Sequence, residues 1–177
     1  MRKLLNQELS RLDLQSFKAH PKNSLVLILD DVRSLNNVGS AFRTADAFLL
    51  EKIYLCGITG KPPHREINKT ALGATDSVNW EYAENVKELV LQLRRQQYEI
   101  VLVEQTDASV MLMDFQPCPE NKYALVFGNE VFGVNESLLP LAQHCLEIPQ
   151  YGTKHSLNIS VSVGIVVWSM LEKMGRL

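Results

Sequence analysis

Five short apolar runs, each closed by polar residues, constrain this chain more than any other feature. The first is Ser24-Leu25-Val26-Leu27-Ile28-Leu29, bounded by Asp30 and Asp31, and similar runs lie at 52–56, 99–103, 123–127 and 145–148. A nearly continuous apolar run of this length is the form of a strand buried on both faces. Segments of helical character separate the runs, at about 38–48, 64–72, 84–97, 135–143 and 156–173. Strands alternating with helices of this length predict an α/β domain whose mostly parallel sheet is flanked by helices. Ahead of the first strand, Leu5, Leu9 and Leu12 fall at i, i+4 and i+7 among charged residues. That is one stripe of a short amphipathic helix, broken at Pro21 and Asn23. The expected organisation is a helical extension over residues 1–23 followed by a single domain over 24–177.

A chain of 177 residues suits one domain, able to bury roughly 70% of its unfolded surface. With 46% hydrophobic and 21% charged residues, it lies far from the composition of disordered chains. Cys56, Cys118 and Cys145 are odd in number and widely spaced, with no histidine placed to complete a zinc site, so reduced thiols and no metal are expected. Charged residues enter too early at Met1–Glu8 for a signal peptide. The apolar-rich stretch 157–171 is interrupted by Asn158, Ser160, Ser162 and Ser169, and it is shorter than the roughly 20 residues of a membrane span. A cytoplasmic protein with no membrane partner is the expectation. The net charge of −2 weighs against coating nucleic acid by bulk positive charge. Local basic patches remain, at Arg2, Lys3 and Arg11, at Lys61, His64, Arg65 and Lys69, and at Lys154 with His155.

In parallel sheets ligands sit beyond the carboxyl ends of the strands, which directs attention to the loops after the apolar runs. No two glycines are separated by a single residue, so the dinucleotide fingerprint is absent. Gly128 and Gly133 have P-loop spacing, but Val134-Asn135 follow where Lys-Ser/Thr is required. The loop after the first strand runs from Asp30 to Arg43. Ser34, Asn36 or Asn37 caps the following helix there, and Arg43 is either part of an anion site or merely solvated. The loop Phe127-Gly128-Asn129-Glu130-Val131-Phe132-Gly133 puts a carboxylate between two glycines. Gly128 there permits close approach of a ligand, or the segment is a tight turn with Glu130 capping a helix. The loop from Pro149 to Asn158 sets Ser156, a good N-cap, and Asn158 at the mouth of an apolar helix, where an amide needs hydrogen-bond partners or a ligand.

Taken together, these segments resemble the SpoU/TrmH family of the SPOUT superfamily, the knotted RNA methyltransferases. The matching stretches are Asn37-Val38-Gly39-Ser40-Ala41-Phe42-Arg43-Thr44-Ala45, then Gly128-Asn129-Glu130 through Gly133, then Ile148-Pro149 through Ser156-Leu157-Asn158-Ile159-Ser160. They occur in the family's order, and the resemblance covers about residues 24–173. It implies a deep trefoil knot over roughly residues 125–173, although true knots are otherwise almost absent from proteins. It also implies S-adenosyl-L-methionine as cofactor, held by main-chain groups at Gly128, Ile148 and Leu157, with the loop near Glu104 and Gln105 closing the site. A homodimer with the active site near its interface belongs to the same expectation.

The implied reaction moves a methyl group to a ribose 2′-hydroxyl, with Arg43 central and Asn37, Glu130, Ser156 and Asn158 supporting it. A hydroxyl is a poor nucleophile, so the site must remove its proton or stabilise the developing alkoxide. Guanidinium is effectively always protonated. Either Glu130 takes part in a proton relay, or Arg43 stays charged and stabilises the alkoxide beside a phosphate. A neighbouring carboxylate favours charged arginine. The RNA implied is tRNA ahead of rRNA, with a D-loop guanosine as the leading target. Competing readings are a non-catalytic RNA-binding module of the same fold and a nucleotide-dependent oxidoreductase; the intact motifs weigh against the first and the absent glycine fingerprint against the second.

Overall fold

The computed structural model describes residues 1–5 and 8–177. Helix α1 (Leu14–Ala19) precedes β1 (Asn23–Asp30), α2 (Leu35–Ala47), β2 (Leu50–Cys56), α3 (Arg65–Ala71), α4 (Ala74–Ser77) and β3 (Trp80–Ala83). Then come α5 (Val86–Arg95), β4 (Tyr98–Val103), β5 (Val110–Met111), β6 (Lys122–Phe127), a 3₁₀ turn at Glu136–Leu141, β7 (His144–Glu147) and α6 (Ile159–Lys173). The strands form one sheet in the order β3-β2-β1-β6-β4-β7-β5, and every neighbouring pair is parallel.

The period-2 alternation of β1 divides the core into two layers. Leu25, Leu27 and Leu29 point to one face, where Phe42 of α2 and Val163, Val167 and Met170 of α6 pack on them. Val26 and Ile28 point to the other, against Leu89, Val90 and Leu93 of α5 and against Leu138. Both faces are therefore dry, which is why β1 is apolar without a break. Each fully buried side chain of this size contributes about 1.5–3 kcal/mol over an exposed one.

The chain runs outward from β1 through β2 to β3, then returns to the far side, where β6 inserts between β1 and β4. That reversal makes a topological switch point at the carboxyl ends of β1, β6 and β4, the place where such sheets open a crevice.

Several sequence expectations are corrected. Leu5, Leu9 and Leu12 lie outside any helix and are exposed; Asn6 and Gln7, between the first two, fall outside the described residues. Helix α1 starts later because Asp13 caps it, accepting from the Ser16 amide at 2.8 Å. The leucine stripe has no layer to bury against, and short helices without packing are marginal in water. The expected helix at 135–143 is a 3₁₀ turn with Pro140 inside it, since proline removes an α-helical hydrogen bond and crowds the preceding turn. Helix α6 begins at Ile159 with Asn158, not Ser156, as its N-cap. Strands β3 and β5 were not among the expected strands: both are short and lie at the ends of the strand order.

Candidate active site

Four loops meet at the carboxyl ends of β1, β4, β6 and β7, and each is tied by side chains of its own sequence. After β1, Asp31 takes a left-handed conformation (φ 53°) and its carboxylate accepts from the Ile58 amide at 2.9 Å. The Thr59 hydroxyl donates to the Leu29 carbonyl and accepts from the Val32 amide, both at 2.9 Å. Ser34 then caps α2, accepting from the Asn37 amide at 3.3 Å. These bonds aim the amides of Arg33 and Ser34 outward at the head of the helix.

Glu130 receives them. Its carboxylate accepts from the Arg33 amide at 2.9 Å, the Ser34 amide at 3.0 Å and the side-chain amide of Asn37 at 3.2 Å. Desolvation opposes the charge, but the three donors outweigh it, and the Glu130 carboxyl lies below its ordinary range. It is ionised at neutral pH. Rather than capping a following helix, Glu130 joins the loop after β6 to the start of α2, across 93 residues of sequence from Asn37.

The loop that carries Glu130 is held by its own hydrogen bonds. Asn129 and Gly133 exchange two backbone hydrogen bonds of 2.9 Å. The Asn129 side chain accepts from the Val131 amide (2.8 Å) and the Phe132 amide (3.2 Å), and donates to the Asp31 carbonyl at 2.7 Å. Sequence reasoning missed Asn129, although asparagine in a turn often bonds the backbone two residues on. Gly128 lies where the chain folds back on itself. A Cβ there would collide with the backbone of Gly133 and Val134, so the glycine admits the returning chain.

Glu104 completes the enclosure. Its carboxylate accepts from the Val134 amide at 2.9 Å and the Gln105 amide at 2.8 Å. The Gln105 side chain donates to the His155 carbonyl at 3.1 Å, which links this loop to the one before α6. There Asn158 accepts from the amide and hydroxyl of Ser160 at 2.9 and 2.6 Å.

Between these loops lies a cavity of about 610 Å³, within the usual range for a small-molecule site. Glu104, Gln105, Gly128, Glu130, Ile148, Ser156, Leu157 and Asn158 all line it. Asn37 does not line it but is 7% exposed and reaches it through Glu130. Arg43 stands apart: it is exposed on α2, makes no hydrogen bond or ion pair among the described residues, and is absent from the cavity wall. Six residues after Asn37, it lies about 120° around the helix. The wall also holds Glu147 and Phe132, which the sequence reasoning did not select, while neither lysine nor arginine lines it.

The SpoU rRNA methylase family model matches residues 24–168. A tRNA (guanosine(18)-2′-O)-methyltransferase of Borreliella burgdorferi is 30% identical over 154 residues, spanning 87% of this chain and 69% of that protein. A 23S rRNA (guanosine-2′-O-)-methyltransferase of Haemophilus ducreyi is 26% identical over 171 residues, or 96% and 69% of the two chains. Among solved structures, an AdoMet-bound rRNA methyltransferase from Sinorhizobium meliloti superposes with a TM-score of 0.79 at 25% identity, covering 88% of this chain and 59% of that one. With a match across most of its length and a shared fold, the chain belongs to the SpoU rRNA methylase family.

Proposed function

We propose that this RNA 2′-O-ribose methyltransferase, which uses S-adenosyl-L-methionine, methylates a guanosine of tRNA. The observation that carries the tRNA reading is the likeness to the Borreliella enzyme, which extends over 87% of this chain. The cavity suits the cofactor by its chemistry. Glu104, Glu130 and Glu147 line it without a lysine or arginine, which favours a cationic sulfonium, and Phe127, Leu146, Ile148 and Leu157 offer apolar wall to an adenine. The cofactor supplies a methyl group on positively charged sulfur.

In our reading the chain's own residues act as follows. Main-chain groups at Gly128, Ile148 and Leu157 hold the nucleoside part, and Glu104 and Gln105 brace the loops on either side. Glu130 keeps Asn37 and the α2 amides in place. A carboxylate held below its ordinary range is poorly matched to taking a hydroxyl proton, so a relay through Glu130 is disfavoured. Arg43 is free to meet a substrate phosphate and the developing negative oxygen. Ser156 and Asn158 position the ribose.

Two further features belong to the same proposal. One is a knot, supported by the family resemblance and by the path of the chain: β6 enters between β1 and β4, β7 between β4 and β5, and α6 returns against α2. The other is a homodimer. Val161, Ile165 and Trp168 are exposed at i, i+4 and i+7 on α6, and an apolar groove lined by Leu112, Met113, Ile148 and Pro149 runs beside Ile165 and Trp168. An apolar stripe with a groove next to it marks an interface, and a second copy is our occupant. Incubation of the purified protein with methyl-labelled cofactor and unmodified tRNA or rRNA, followed by nucleoside mass spectrometry, tests the function. A 2′-O-methylguanosine in tRNA is expected; label in rRNA alone would reject the tRNA assignment.

A further inference from the structure

The carboxyl end of the sheet holds a second cavity, of about 700 Å³, on the β2–β3 side of β1. Asp30, Asp31, Glu81, Glu84 and Glu88 line it, and no lysine, arginine or histidine does. Some of this charge is already answered. Glu81 pairs with Lys52 at 2.8 Å, and Asp31 accepts from the Ile58 amide. Asp30 is different: it is 4% exposed, takes no hydrogen bond among the described residues, and has like-charged Asp31 as its neighbour. No wholly enclosed side-chain oxygen or nitrogen among the described residues lacks a partner, so the Asp30 oxygens open on the cavity rather than into the core.

A buried carboxylate without donors is matched either by a proton or by a cation that enters. A single metal ion does not suit the place, because no three His, Cys, Asp or Glu side chains among the described residues are grouped to hold one. The negative charge is spread along the cavity, and Tyr54, Tyr82, Val86 and Leu89 give it apolar and aromatic wall beside the amides of Asn85, Gln92 and Asn135. Such a surface fits a ligand whose positive groups are separated by methylenes. One ammonium meets Asp30, the aliphatic stem lies on the apolar and aromatic side chains, and a second ammonium faces Glu84 and Glu88.

We propose that this cavity binds a linear di- or polyamine, with Asp30 anchoring one ammonium group. The site is separate from the methyl-transfer cavity and does not depend on its assignment. Isothermal titration calorimetry of the full chain with putrescine, with spermidine and, at matched ionic strength, with magnesium chloride provides the test. Spermidine is expected to bind saturably, and Asp30→Asn, its fold checked by circular dichroism, to weaken that binding by about tenfold or more. Equal affinity in the wild type and Asp30→Asn, no saturable binding, or a response that magnesium reproduces overturns the proposal. Should Asp30→Asn fail to fold, the Glu84→Gln/Glu88→Gln variant decides: weakened spermidine binding supports the site and unchanged binding overturns it.

Discussion

Two carboxyls beside the same strand end are pushed in opposite directions, and the contrast turns on donors. Glu130 has three and stays below its ordinary range, despite partial desolvation. Asp30 has none among the described residues, and burial, reinforced by Asp31, pushes it up to about 6. Their effects on stability therefore have opposite signs. A lowered folded-state pKa stabilises the fold above the unfolded value, about 4.3 for glutamate, and the gain disappears as pH falls through the folded value. Urea titrations at pH 7 and pH 3 should show Glu130→Gln destabilised at pH 7 by roughly 1 kcal/mol or less, given its exposure, with the gap closing in acid. Methyl transfer by that variant should fall about tenfold or more. Asp30 behaves conversely: stability is lost as pH rises from about 4 to 6, because the folded chain must ionise a group it holds poorly. Asp30→Asn should be more stable than wild type at pH 7, on the order of 2 kcal/mol, and equal to it near pH 3.

At the level of elements, helix α6 and the loop after β6 are the parts whose local chemistry reaches the site. Asn158 caps α6, and its loss should cost about 1 kcal/mol. Asn158→Asp should restore the stability while leaving methyl transfer impaired, which separates the cap from any part the amide plays toward substrate. Ser156→Ala should leave the denaturation midpoint within about 0.5 kcal/mol of wild type, since Ser156 caps nothing; a loss of activity in that variant alone would mark a contact with ligand. In the loop after β6, Gly128→Ala should displace the Gly133 strand of the turn and weaken cofactor binding measured by calorimetry. Retention of wild-type affinity would show that the turn adjusts. The helix expected at about 38–48, and found at Leu35–Ala47, was legible because a cap and an apolar pattern coincide there. Strand β3, at Trp80–Ala83, was not, because an edge of four residues with two exposed side chains has no periodicity to detect.

For the whole molecule, the exposed stripe on α6 leads to a prediction about assembly. Ile165→Glu or Trp168→Glu places charge in an apolar contact, so sedimentation should shift toward monomer with the fold intact. A monomeric wild type would refute the homodimer. Arg43 belongs to this scale as well. It lies on an exposed face of α2, away from the cavity of its own chain, so its contribution is expected to require substrate phosphate or a second copy beside it. Arg43→Ala should leave cofactor affinity unchanged while reducing turnover, and a large loss of cofactor affinity would instead place it in that cavity.

By itself the sequence determined the parallel α/β class, the strands at β1, β2, β4, β6 and β7, and the loops that line the cavity. It could do so because those features are encoded locally: unbroken apolar runs need burial on both faces, and polar residues at fixed offsets after a strand mark its functional end. The strand order was decided only in the tertiary structure, since pairing of parallel strands depends on packing between distant segments. So was the pairing of Glu130 with the head of α2, which joins groups about ninety residues apart. The reason for Gly128 also appeared only there, because whether a glycine makes room for a ligand or for its own chain depends on what folds back beside it. Asp30 shows the same division: its place at a strand end is written in the sequence, but its lack of a donor among the described residues follows from how β2, β3 and α5 close around it.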